Sequence, residues 1–174
     1  MSAQKEKLIE ERLLVTLRSN PQVLKIENST SDAANVADLL CCREEPEVVH
    51  DNSDWNPHPK LMQDLIGNMI PDIVLRSRAS RENRVYIEVK DSEPLRYRAE
   101  DSQVVRYFLH LLATTRKTPV KGQADIRRAI LLCAPSVWFE RDANAKKWNH
   151  FREYFLGLSK AFDITLGELH ADSF

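Results

Sequence analysis

Pro71-Asp72-Ile73-Val74-Leu75 and Ile87-Glu88-Val89-Lys90 are the two stretches that decide how this chain is read. Both are rich in β-branched residues, and the polar run Ser77–Asn83 between them supplies a turn. Fifteen residues lie between Asp72 and Glu88, enough for two short strands joined as a hairpin. Side chains alternate along a strand, so Glu88 and Lys90 share one face while Ile87 and Val89 take the other. A hairpin would therefore gather two carboxylates and an ammonium on one side of a sheet. Clustered acids of this kind are the usual oxygen donors for Mg²⁺, which accepts one or two carboxylates together with waters and phosphate. The pattern points to phosphodiester hydrolysis.

Working outward, an amphipathic helix is expected over residues 4–19, with Ile9, Leu13, Leu14 and Leu17 on its apolar face. Pro21 ends it, and Gln22–Glu27 reads as a first strand. Residues 29–58 are read as an insertion or lid, with helical potential at Asp32–Cys42 and a polar stretch holding Pro46 and Pro57. A short helix is expected at Pro59–Ile66. Strands then follow at about 69–76 and 85–90, a helix at Tyr97–Arg116 and a buried strand at Arg128–Ala134. An aromatic-rich helix over 143–161 and a strand at Ile164–Leu169 close the chain. This order implies an α/β fold in one domain over residues 1–174, a mixed central β-sheet flanked by helices with a C-terminal αβ extension.

The 174 residues suffice for a single domain with its own core. A composition of 43% hydrophobic and 29% charged residues is that of a globular protein, with no apolar run near the ~18 residues that span a bilayer. The polar start Met1–Lys7 does not read as a signal peptide. Three cysteines, two of them adjacent, form neither a disulfide framework nor a zinc spacing. A reducing, cytoplasmic location without membrane contact is the resulting expectation. The net charge of −1 argues against general coating of nucleic acid. Arginines nevertheless cluster, at Arg76, Arg78, Arg81 and Arg84 in the hairpin and at Arg96, Arg98 and Arg106 around the next helix. Such a patch could hold several phosphates, although arginines also simply solvate turns.

The element order and these residues together resemble the PD-(D/E)XK nuclease superfamily. Its motif, Pro-Asp on one strand and Glu-X-Lys on the next, stands here as Pro71-Asp72 and Glu88-Val89-Lys90. Gln103-Val104-Val105-Arg106-Tyr107, on the helix after the hairpin, is similar to the Gln-X-X-X-Tyr motif of the RecB-like branch. The resemblance implies an αβββαβ restriction-endonuclease-like core over residues 4–134. It implies Asp72, Glu88 and the Val89 carbonyl as ligands of Mg²⁺, for which Mn²⁺ would substitute, and Lys90 as the group that activates or orients the attacking water. Gln103 and Tyr107 would position the strand. On helical spacing, Gln103, Arg106, Tyr107 and His110 form a row apart from the buried stripe Val104, Phe108, Leu111 and Leu112, and so offer donors to phosphate.

Many members aim a glutamate of the first helix at the metal, and Glu10 is the candidate here. Glu6 lies on a similar face, and Glu11 is a further acid on that helix. His50 and His58 do not align with the upstream histidine of the branch, and three cysteines cannot supply its iron–sulfur version. The stripe Trp148, Phe151 and Phe155 reads as helix packing rather than base stacking. The expected activity is a Mg²⁺-dependent deoxyribonuclease with DNA as its partner, and the small size suggests dependence on a homodimer or larger complex. The alternative keeps the fold without catalysis, as a nucleic-acid-binding or assembly subunit.

Overall fold

Arg128–Ala134 is buried at all seven positions, as a strand covered by helices on both sides must be. The structure is a computed structural model that describes residues 2–40, 47–49, 71–76, 84–93, 95, 102–114 and 127–174. In chain order its elements are α1 (Ser2–Ser19), a 3₁₀ turn (Pro21–Val23), α2 (Val36–Leu40), β1 (Glu47–Val49) and β2 (Ile73–Arg76). There follow β3 (Arg84–Val89), α3 (Gln103–Thr114), β4 (Arg128–Ala134), α4 (Ser136–Glu140), α5 (Asp142–Ala161), β5 (Ile164–His170) and a closing 3₁₀ turn (Ala171–Ser173).

The strands form one sheet in the order β1-β2-β3-β4-β5. The pairs β1-β2 and β2-β3 are antiparallel, whereas β3, β4 and β5 are parallel. Parallel neighbours need crossover connections, and α3 and the α4–α5 pair lie within them. The fold is therefore mixed α/β, as the order of periodicities implies.

Alternation along the strands sorts the core into two clusters. One face of the sheet sends Ile73, Leu75, Val85, Ile87, Val89, Leu131 and Cys133 toward Ile9, Leu13 and Leu17 of α1 and Val36 and Leu39 of α2. The opposite face sends Tyr86, Ile130, Leu132 and Leu166 toward Val104, Tyr107, Phe108 and Leu111 of α3 and Trp148 and Phe151 of α5. Phe108 packs on Phe155 at 4.6 Å and edge-on to Phe151 at 6.3 Å. The aromatic stripe is thus helix packing, as expected. No described helix is long and apolar enough to cross a membrane.

Two assignments at the N-terminal end are corrected. Gln22–Glu27 is not a strand: Pro21 fixes the backbone of a 3₁₀ turn, and the rest of the segment makes only single bridges, Lys25 to Asn35 and Glu27 to Glu168. The first strand of the sheet is Glu47–Val49, inside the stretch read as an insertion, and it pairs with β2. Its place is set by tertiary pairing, which no local periodicity encodes. A short helix, α4, also separates β4 from α5. The helix expected at 59–66, both histidines at 50 and 58, and the arginines at 78, 81, 96 and 98 lie outside the described residues.

The segment after the 3₁₀ turn covers the outer edge of β5. Glu27 and Glu168 exchange backbone hydrogen bonds at 2.9 and 3.0 Å, and the Thr30 amide donates to the Leu166 carbonyl at 2.9 Å. Gly167 permits this approach: a Cβ there would stand 2.4 Å from Ile26 Cγ2. Asn28 turns the covering segment with φ 49°, a conformation that asparagine adopts at little cost.

Candidate active site

Pro71 is buried and brings no amide to the ladder, and the strand it introduces begins two residues later, at Ile73. Ile73 pairs with Ile87, which sets Asp72, one step back, opposite Glu88. The amide of Val89 donates to Asp72 Oδ2 at 2.7 Å. This bond fastens the acid of β2 to the strand that carries Glu88. Lys90 follows directly, its own amide held by the Cys133 carbonyl of β4 at 2.8 Å. Asp72, Glu88 and Lys90 are thus gathered by the backbone of three adjacent strands.

Glu88 is fully buried and has a partner for each oxygen. Lys90 Nζ donates to Oε1 at 2.6 Å, and the Tyr107 hydroxyl donates to Oε2 at 2.8 Å. Burial pushes its carboxyl up to about 7, the Asp72 charge adds to the rise, and Lys90 and Tyr107 oppose it. Burial also raises Asp72, against the Val89 amide and the Lys90 charge. For Lys90, burial favours the neutral amine, but the charge and hydrogen bond of Glu88, with help from Asp72 and Glu6, carry its pKa above the ordinary value. Its neighbours thus favour the charged form of Lys90.

Helix α3 contributes more intimately than its sequence suggested. Tyr107 and His110 are fully buried, as are Val104, Phe108 and Leu111, so the polar row does not face away from the core. Tyr107 turns to Glu88, and Gln103 hydrogen-bonds the Tyr107 side chain. Tyr86 Oη and His110 Nδ1 share a hydrogen bond of 2.8 Å. The reason is chemical: β3 presents Tyr86 and Glu88 on the face that α3 covers, which makes that interface a place for polar side chains. Tyr107 and His110 are therefore spent on the protein and not presented to a phosphate. Burial and the Glu88 charge push the Tyr107 phenol pKa up.

From α1, Glu6 reaches the site: the Asp91 amide donates to its Oε1 at 3.3 Å, and its charge acts on Lys90. Glu10, the residue chosen from spacing, is half-buried one turn further along. Val89 enters through its amide. Among the described residues, no group of three or more His, Cys, Asp or Glu side chains is arranged to hold a metal ion. What the site does offer is two carboxylates, a set that suits Mg²⁺ because that ion keeps most of its waters. Burial is the larger cause of the raised Glu88 pKa, and the second, repulsion from Asp72, is the kind a cation relieves.

A second buried acid lies on the same face two strands away. The register sets Glu88, Leu132 and Glu168 abreast, which separates the two glutamates by about 10 Å of backbone. Glu168 Oε1 accepts from Trp148 Nε1 at 2.8 Å and from Arg152 at 3.2 Å, and its Oε2 accepts from Asn28 at 2.9 Å. His170 Nε2 stands 3.5 Å from Glu168 Oε2, and its ring stacks on Phe139 at 4.8 Å. Glu168-Leu169-His170 echoes Glu88-Val89-Lys90, and that echo was the signal in the sequence for this cluster. Its partners tie α5 and Asn28 to β5, which makes it a structural knot.

No protein-family model matches the chain, and neither a curated protein nor a solved structure matches it significantly.

Proposed function

We propose that this chain is a metal-dependent nuclease of the PD-(D/E)XK type, closest in motif to the RecB-like branch, that hydrolyses phosphodiester bonds in DNA. The observation that carries the reading is the Val89-to-Asp72 bond, which stands the two acids side by side with Lys90 already on Glu88. The order helix, three strands, helix, strand supports it.

Asp72 and Glu88, with the Val89 carbonyl, are the residues that would hold Mg²⁺ or Mn²⁺. When bound, the ion supplies positive charge against the scissile phosphate and acidifies water. Lys90, whose charged form its neighbours favour, would donate to the attacking water or the phosphate and orient it. Tyr107 fixes the direction of the Glu88 carboxylate, and Gln103 steadies Tyr107. Glu6 reinforces the charge of Lys90 from α1, and Glu10, one turn further along, is the further acid of that helix that would face the metal. Arg84 and Arg106 remain as described members of the arginine group that would meet the nucleic acid, with a second copy or a larger complex supplying further contacts.

The test incubates the wild-type chain and Asp72→Ala with linear, circular and single-stranded DNA, and with RNA, in Mg²⁺ or Mn²⁺. Cleavage that vanishes in the variant supports the reading, and circular DNA left whole would make the enzyme an exonuclease. Binding of Mn²⁺ and DNA without cleavage would replace it with the silent nucleic-acid-binding subunit. Failure to bind either would overturn both.

A further inference from the structure

Tyr86 and His110 form a fully buried polar pair one step from the acids, and nothing in the hydrolysis requires them. Polar groups at such a position cost stability unless satisfied, and apolar side chains would pack there as well. We propose that Tyr86 and His110 are positioning residues that hold α3 in the register at which Tyr107 meets Glu88. This inference rests on the metal-site reading above.

The argument is geometric. On β3, Tyr86 and Glu88 are two residues apart on one face, about 6.6 Å along the strand. On α3, Tyr107 and His110 are three residues apart, about 4.5 Å along the helix axis. The two hydrogen bonds, Glu88 to Tyr107 and Tyr86 to His110, are therefore rungs of unequal spacing between a strand and a helix. A single rung lets the helix pivot about it, whereas two fix both its rotation and its slide. Val104, Phe108 and Leu111 of α3 add apolar contacts, which carry little direction of their own. Tyr86 also touches its neighbour rung, since its ring meets that of Tyr107 edge-on at 5.9 Å. A shift of this pair thus moves the phenol that sets the Glu88 carboxylate.

The test is a double-mutant cycle read by Mn²⁺ calorimetry on the full chain. Tyr86→Phe keeps the ring and removes one rung, and Tyr107→Phe removes the other. Each single variant is expected to weaken Mn²⁺ binding about tenfold, as loss of an outer hydrogen bond to a metal ligand does. If Tyr86 acts through Tyr107, the double variant is no weaker than Tyr107→Phe alone. Wild-type affinity in Tyr86→Phe, or losses that multiply to about a hundredfold in the double variant, would overturn the inference. Glu88→Gln separates the two readings. If it abolishes wild-type Mn²⁺ binding while Tyr86→Phe leaves binding intact, only the positioning role falls. If it changes nothing, the metal site falls and the inference with it.

Discussion

Lys90 Nζ donates to Glu88 Oε1 at 2.6 Å, a contact between a completely buried carboxylate and a side chain only 14% exposed. In that pair the lysine is both Glu88's counter-charge and the proposed contact to substrate. Lys90→Met should therefore act twice. Without its cation, Glu88 must carry a proton or an uncompensated charge, and urea denaturation at pH 8 should show a loss of about 1–3 kcal/mol. Mg²⁺-dependent DNA cleavage should fall by about a hundredfold or more.

The apo-protein should lose stability as the solution is made less acidic. Glu88 titrates at about 7 in the folded chain against an ordinary 4.5. Between those values the folded state binds more protons than the unfolded state, so the stabilisation present at low pH is lost as pH rises through about 7. The full effect is about 3 kcal/mol, and Asp72, also raised, contributes with the same sign. Lys90, raised from 10.5, has its own stability change only at higher pH. Thermal midpoints measured from pH 5 to 8 should fall in the wild type and fall less steeply in Glu88→Gln, where only the Asp72 contribution remains. Added Mn²⁺ should restore the loss, because it binds the ionised carboxylate.

Tyr107→Phe tests the other oxygen of Glu88. It removes the donor to Oε2 and leaves a buried acceptor short of a partner, at a cost of about 1–3 kcal/mol. The phenol's hydrogen bond lowers the Glu88 pKa, so its loss should move that group's titration above 7. A pH–rate profile of cleavage should accordingly show its acidic limb displaced to higher pH.

Glu168→Gln provides the contrast. The substitution keeps an acceptor for Trp148 but strips the charge that faces Arg152, with an expected loss of about 3 kcal/mol. Mn²⁺ affinity at the site on β2 and β3 should be unchanged in the folded variant. A calorimetric change matching that of Asp72→Ala would show that the two buried glutamates belong to one site.

Much of this arrangement was legible because it is local. The hairpin from Asp72 to Lys90 follows from alternation and spacing, and β4 from its continuous apolar run. What escaped depends on partners distant in the chain. Glu47–Val49 is three residues in a polar stretch and becomes a strand only through β2. Val23, Leu24 and Ile26 look like strand residues, but Pro21 shapes a 3₁₀ turn and only Glu27 meets β5. A tyrosine and a histidine on a helix look exposed by residue type. They are buried because Tyr86 and Glu88, some twenty positions earlier, complete their hydrogen bonds. Glu6 and Glu10 share a helix face, and spacing alone could not choose between them.

The bonds from Glu27 and Thr30 along β5 bear on how copies of this chain could assemble. With that edge of the sheet already taken, β1 is the other edge of the sheet among the described residues. It lies beside β2, which begins immediately after Asp72. A dimer built by extending the sheet would therefore form next to the acids, and its assembly would be felt where the chemistry is proposed to occur.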